Sequence, residues 1–241
     1  MIGLGGAEFR LPMLIGIFGF LALQAVIMNK AMSPAVVLTA LPARLVAVPF
    51  TDLAPHWQVA VNLLASSLAG AWVGASWATR MATATLRKVL AGLLGLMAVA
   101  LVRTHLDDPS GGLGLTGLLL AVVGLAPGFG IGVVAAVMGV AGGELLIPTI
   151  VLLYGVDIKL AGSLSLAVSL PTMLVAFARY SRDQGFTTVL RGNGRFVIAM
   201  TAGSIVGTLA GALLLGVITN LILIPALALL LIISAIKLWR H

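Results

Sequence analysis

The chain contains no cysteine and little charge: 9% of its 241 residues are Asp, Glu, Lys or Arg. Without cysteine there is no disulfide framework and no thiolate for metal or redox chemistry, so thiol usage says nothing about compartment. Signatures of soluble chemistry are missing as well. There is no H-E-x-x-H, no G-x-x-x-x-G-K-[ST] and no G-x-S-x-G, which removes the zincin, P-loop and nucleophile-elbow classes and leaves no sign of an enzyme or of ATP-driven pumping by this chain. His56 and His105 have no partner at metal-ligand spacing. No catalytic residue, metal site or cofactor is expected.

What is present is apolar. Hydrophobic residues make up 61% of the chain and the mean hydropathy is +1.18, against roughly half apolar in a soluble domain. Helix-sized apolar segments fall at 11–22, 24–43, 58–79, 88–102, 114–138, 145–156, 160–178, 196–216 and 218–236. Most approach the roughly 20 residues that cross a bilayer. The expected fold is all-α, a polytopic transmembrane bundle of eight or nine segments. The formal net charge of +7 is not a nucleic-acid footprint, because the basic residues lie in short loops between apolar segments, where Lys and Arg report orientation.

The chain repeats itself. Gly3, Gly6, Glu8, Pro12, Gly19 and Ala25 recur 136 positions later as Gly139, Gly142, Glu144, Pro148, Gly155 and Ala161. At offset 137, Gly70 and Gly74 pair with Gly207 and Gly211. Two repeats follow, 1–110 and 111–241. The second opens with a helix at 114–138 that has no counterpart before Met1, and a start about one span late, roughly 20 residues, is favoured over loss of a helix.

Charge chooses the relative orientation of the repeats. If they are inverted, one side carries Lys30, Arg80, Arg87, Lys88, Arg179, Arg182, Arg191, Arg195, Lys237 and Arg240, and the other Arg10, Arg44, Arg103 and Lys159. If they are parallel, that bias nearly disappears. The positive-inside rule therefore predicts inverted repeats with a cytoplasmic C-terminus. The short segment after each Gly-rich frame is the mark of a broken helix at a transporter site.

Glycine lets the backbone bend and a ligand approach, and the following helix offers N–H groups at the positive end of its dipole. Gly5, Gly6, Gly142 and Gly143 are the candidate anion-binding backbone. Glu8 and Glu144 start the following helices. They either cap those helices, the favoured reading, or couple protons to anion binding. Asn29, Ser163, Ser165 and Ser169 are candidate hydrogen-bond donors to the anion, with helix packing as the more ordinary role for the serines. Lys30 is a snorkelling loop lysine in the favoured reading and a counter-charge for the substrate in the other. Arg179 and Arg182 read as orientation signals, the glycine pairs 70/74 and 207/211 as close helix packing, and Trp57, Trp77 and Trp239 as interfacial aromatics.

The two frames, Gly3-Leu4-Gly5-Gly6-Ala7 with Pro12 and Gly139-Val140-Ala141-Gly142-Gly143 with Pro148, followed by LAGSLSL at 160–166, resemble the sulfite exporter TauE/SafE family of bacterial membrane permeases. The resemblance covers essentially the whole chain and puts Ser165 on the family serine. Ala7 and Ala141 stand where the family has a glycine, Asn29 where the first copy would have the serine, and the opening helix is missing. The resemblance implies a multi-pass secondary transporter of the bacterial inner membrane that exports sulfite or a short organosulfonate. Its partners would be the bilayer, the anion and protons as coupling ion, with a homo-oligomer compatible. A channel-like conductor without proton coupling and a non-transporting scaffold are the alternatives.

Overall fold

Glycines in the left-handed region, Gly19, Gly117, Gly139, Gly142 and Gly155, mark several of the breaks between helices. The computed structural model describes residues 7–47, 50–106 and 117–214 and positions 229, 232, 233, 235 and 236; the apolar segment 218–236 lies mostly outside the described residues. The helices are α1 (Ala7–Gly16), α2 (Ala22–Ala47), the single turn α3 (Phe50–Leu53) with a 3-10 turn after it, α4 (Trp57–Ala78), α5 (Thr83–Leu106), α6 (Gly117–Met138), α7 (Gly143–Tyr154), α8 (Ile158–Tyr180), α9 (Gln184–Gly192) and α10 (Gly194–Leu214). No strand occurs among the described residues. The windows Ala22–Thr39, Ala54–Ala78, Gly117–Met138 and Leu160–Tyr180 are long and apolar enough to cross a membrane.

The repeat read from the sequence is visible as repeated geometry. α1 and α7 are short, 10 and 12 residues. Each holds a proline at its sixth position, Pro12 and Pro148, which withdraws the N–H that would have bonded the carbonyl four residues earlier. Both are followed by a glycine at positive φ, Gly19 at 72° and Gly155 at 65°, where a Cβ would be strained. The longer helices then exchange partners: α4 of the first repeat packs on α8 of the second, and α10 of the second packs on α2 of the first. Reciprocal contact of this kind is what a pseudo-two-fold axis produces, and it is consistent with inverted repeats.

Three expectations change. The basic stretch 179–195 is not a simple loop but contains α9, opened by Asp183, whose carboxylate accepts the Gly185 N–H at 3.0 Å. Its Phe186, Val189 and Leu190 pack on the core, at the i, i+3, i+4 spacing of an amphipathic helix. Lys30 is no loop residue; it sits within α2, fully buried. Arg10, counted as a loop charge, is 6% exposed on α1. Both belong to the interior, and without them the inverted arrangement expected from the sequence would set nine basic residues against three.

The glycine pairs also part company. An added Cβ on Gly74 would sit 2.6 Å from the Val133 carbonyl oxygen of α6, and one on Gly70 would collide with the Phe129 carbonyl. Gly128 and Gly132 of α6 return the contact against Ser66 and Ser67. Small residues on both helices let the backbones meet, and dispersion between them supplies association that lipid would not otherwise favour. Gly207, the repeat mate of Gly70, has no neighbour within 4 Å of an added Cβ among the described residues, so no described contact supports its reading as a packing glycine. Gly74→Ala is therefore expected to cost about 1–3 kcal/mol and Gly207→Ala less than about 0.5 kcal/mol. Thermal unfolding in detergent measures both; equal losses would refute the unequal packing.

Candidate functional site

α6 and α7 are separated by a break at residues 139–142. Gly139 and Gly142 take φ of 71° and 77°, and the chain turns within residues 139–142 from the end of one helix to the start of the next. α2 passes so close that a Cβ on Gly139 would sit 2.6 Å from the Val26 carbonyl oxygen and 3.3 Å from the Lys30 backbone nitrogen. A helix ending here leaves carbonyls without intrahelical donors, and at membrane depth there is no bulk water to satisfy them.

The backbone of the break meets two of them, Gly139 N–H donating to Ala136 at 3.2 Å and Val140 N–H to Ala135 at 3.0 Å, and side chains add to these. The Lys30 ammonium donates to the carbonyls of Ala135 at 3.2 Å and Val140 at 3.1 Å. The Asn29 amide Nδ2 donates to Ala7 at 2.9 Å and, across the repeats, to Met138 at 3.3 Å. Tyr180 at the end of α8 donates its hydroxyl to Ala136 at 3.1 Å. A cation at a helix C-terminus also faces the negative end of the dipole. The second buried cation adjoins this cap: Arg10 Nη2 donates to Ser33 Oγ at 2.9 Å and Nη1 to Ser204 Oγ of α10 at 3.3 Å. Ser33 Oγ lies 2.7 Å from the Asn29 carbonyl and 3.3 Å from that of Gly139.

From the other side comes α8. Ala141 of the break packs in one buried cluster with Val37 of α2 and with Leu166 and Met173 of α8. Ser169 lies between these last two on the same stripe, three and four residues away. Its hydroxyl is buried without a partner, as is Oδ1 of Asn29. Buried polar atoms without partners are rare enough to ask for a ligand or a water. Ser165 is fully buried and donates to the Gly162 carbonyl at 2.8 Å; Ser163 is buried as well.

The structure thus brings Asn29, Gly142, Gly143, Ser163 and Ser165 into buried positions around the break and α8. Asn29 contributes an unpartnered acceptor rather than a spare donor, because its amide hydrogens are spent on carbonyls. The backbones of Glu8 and Glu144 lie in the first turns of α1 and α7; their side chains, and Gly5 and Gly6 entirely, lie outside the described residues. Arg10 and Ser33 were missed as site residues. Ser33 is 136 positions before Ser169 and equally buried, so the repeat itself carried that signal. Arg10 had none, since its burial depends on α2 and α10.

A family model described as "Sulfite exporter TauE/SafE" matches residues 1–238. No curated protein and no solved structure gives a match.

Replacing Asn29 by Leu keeps the branched shape but strips the Ala7 and Met138 carbonyls of this donor, a loss of about 1–3 kcal/mol. Ser169→Ala removes a hydroxyl that has no partner and is expected to leave stability unchanged or slightly raised. Parallel melting curves of the two variants check this, and a destabilised Ser169→Ala would mean the hydroxyl does hold the fold together.

Proposed function

Because the chain belongs to the sulfite exporter TauE/SafE family, we propose that it is a secondary transporter whose anion binds beside Lys30, at the break between α6 and α7. The supporting observation is the Lys30 ammonium: it is fully buried, its hydrogen bonds are to two carbonyls, and no carboxylate pairs with it among the described residues. An ammonium has three N–H donors, so one remains. Burying an ion costs several kcal/mol unless it is paired, and an ionisable residue inside a membrane is a functional candidate by default. Carbonyl dipoles offset part of that cost; a bound oxyanion would supply the missing charge.

Arg10 adds a second positive group, and the first turn of α7 supplies backbone N–H groups that lack intrahelical acceptors. Ser169, Ser163 and Ser165 line the α8 side. Sulfite or a short organosulfonate is the substrate in this reading, and export is its direction, since an interior-negative potential of 100 mV drives each negative charge outward by about 2.3 kcal/mol. Inverted repeats, insertion in the bacterial inner membrane and a cytoplasmic C-terminus belong to the same proposal. Glu8 and Glu144 are its proton-coupling residues: a carboxylate at the mouth of an anion site competes with the anion, and protonation relieves the competition.

The test is transport in proteoliposomes loaded with sulfite. Saturable efflux is expected; a rate that rises linearly with concentration would favour a channel, and none at all a scaffold. Lys30→Met should lower the saturable rate more than about tenfold, the equivalent of one charge-assisted hydrogen bond or more, with Lys30→Arg keeping part of it. Full activity in Lys30→Met would remove the site. For coupling, Glu8→Gln with Glu144→Gln should flatten the dependence on an imposed pH gradient, whereas an unchanged dependence would reduce both residues to helix caps.

A further inference from the structure

The chain carries a second basic group that the transport site does not use. Near the end of α4, the indole of Trp72 lies under two guanidinium groups. The Arg179 Cζ is 5.7 Å from the ring centroid and the Arg182 Cζ is 5.0 Å from it. Arg179 Nε donates to Ser76 Oγ at 2.7 Å, one turn further along α4, and Ser76 in turn donates to the Trp72 carbonyl at 2.8 Å. These contacts tie the last turn of α8 to α4 and hold two like charges on one aromatic ring. No carboxylate neutralises them among the described residues. Asp183, the acidic residue of the same turn, spends its side chain capping α9 on the Gly185 N–H.

Position gives the ligand. Trp72 is 39% exposed and six residues from the end of α4, about 9 Å along the axis, while Arg179 and Arg182 flank the C-terminal end of α8. Both helices are membrane spans, so the cluster lies where acyl chains give way to headgroups. There an indole is at home, and a guanidinium matches a phosphate with paired, parallel hydrogen bonds. Arg80, exposed just past the end of α4, extends the positive surface. Cation–π contact orients the two guanidinium groups but leaves their terminal N–H groups available, because its attraction is to the ring face and uses no acceptor.

We propose that Trp72, Arg179 and Arg182 form a binding site for the phosphate of an anionic glycerophospholipid, seated against the α4–α8 junction. The site is independent of the anion path, since it faces the surrounding lipid rather than the break at residues 139–142. An anion here would relieve the repulsion between the two arginines and fasten α8, which also lines the transport site, to α4.

Native mass spectrometry of the full chain, released from nanodiscs of mixed phosphatidylglycerol and phosphatidylcholine, reads the retained lipid directly. The wild type is expected to retain phosphatidylglycerol in preference. Arg182→Gln, which removes a guanidinium laid over the Trp72 ring, is expected to reduce that preference about fivefold, corresponding to about 1 kcal/mol for one basic residue at the membrane surface. Arg179→Gln with Arg182→Gln should abolish it. A preference unchanged in the double variant would overturn the site. So would inorganic phosphate at millimolar concentration displacing the lipid or protecting the wild type equally well, since the cluster would then be a soluble-anion site. Arg191→Gln, on α9, is the folding and charge control and should leave the preference as it is.

Discussion

The lysine ammonium on one carbonyl at the end of α6 and one in the break after it is the constraint from which the rest follows. A helix that stops inside a membrane leaves acceptors that water cannot reach, and a lysine in the same place leaves a charge that lipid cannot solvate. Neither is tolerable alone. Together, Lys30 satisfies Ala135 and Val140, and the broken helix provides the polar surroundings that keep the ammonium inside. The arrangement also joins the repeats, because Lys30 belongs to the first and its acceptors to the second. Asn29 repeats the device one residue earlier, with one hand on each repeat at Ala7 and Met138.

That junction requires backbone-to-backbone contact, and small residues provide it twice. At the break, Gly139 admits α2. Between α4 and α6, glycines on both helices interleave, so that α6 is fixed along its length before it ends. The carbonyls offered to Lys30 are therefore held by a helix that cannot drift, and a site formed from helix ends gains the rigidity of whole spans. The second repeat reproduces the short helix and its closing glycine, while the second contact has no counterpart at Gly207 of α10 among the described residues. The two copies share a plan while presenting different surroundings to the centre.

The basic residues fall into two kinds that composition does not distinguish. Lys30 and Arg10 are interior, bonded to carbonyls and hydroxyls. Arg179 and Arg182 are peripheral, laid over Trp72 where helices emerge. α9 shares that periphery, its Phe186 packed edge-on to Phe177 at 5.1 Å, so the turn after α8 is a fixed surface rather than slack chain. α8 thus touches both regions, with Leu166 and Met173 packed with Ala141 of the break and Arg179 at its far end.

The sequence by itself determined the membrane class, the spans and the duplication, because each is local: hydropathy summed over a window, or a glycine and a proline at a fixed place after a glutamate. α7 was legible down to its length, and Gly19 with Gly155 were legible as a pair. Helix α9 was hidden because basic residues on one side outweighed three apolar residues on the other. Only the tertiary structure decided that Lys30 and Arg10 point inward, that Gly70 packs against α6, and that Asn29 offers an acceptor. Each of these depends on which helix lies opposite, and a residue's neighbours across a bundle are set by segments over a hundred positions away, which no local pattern encodes.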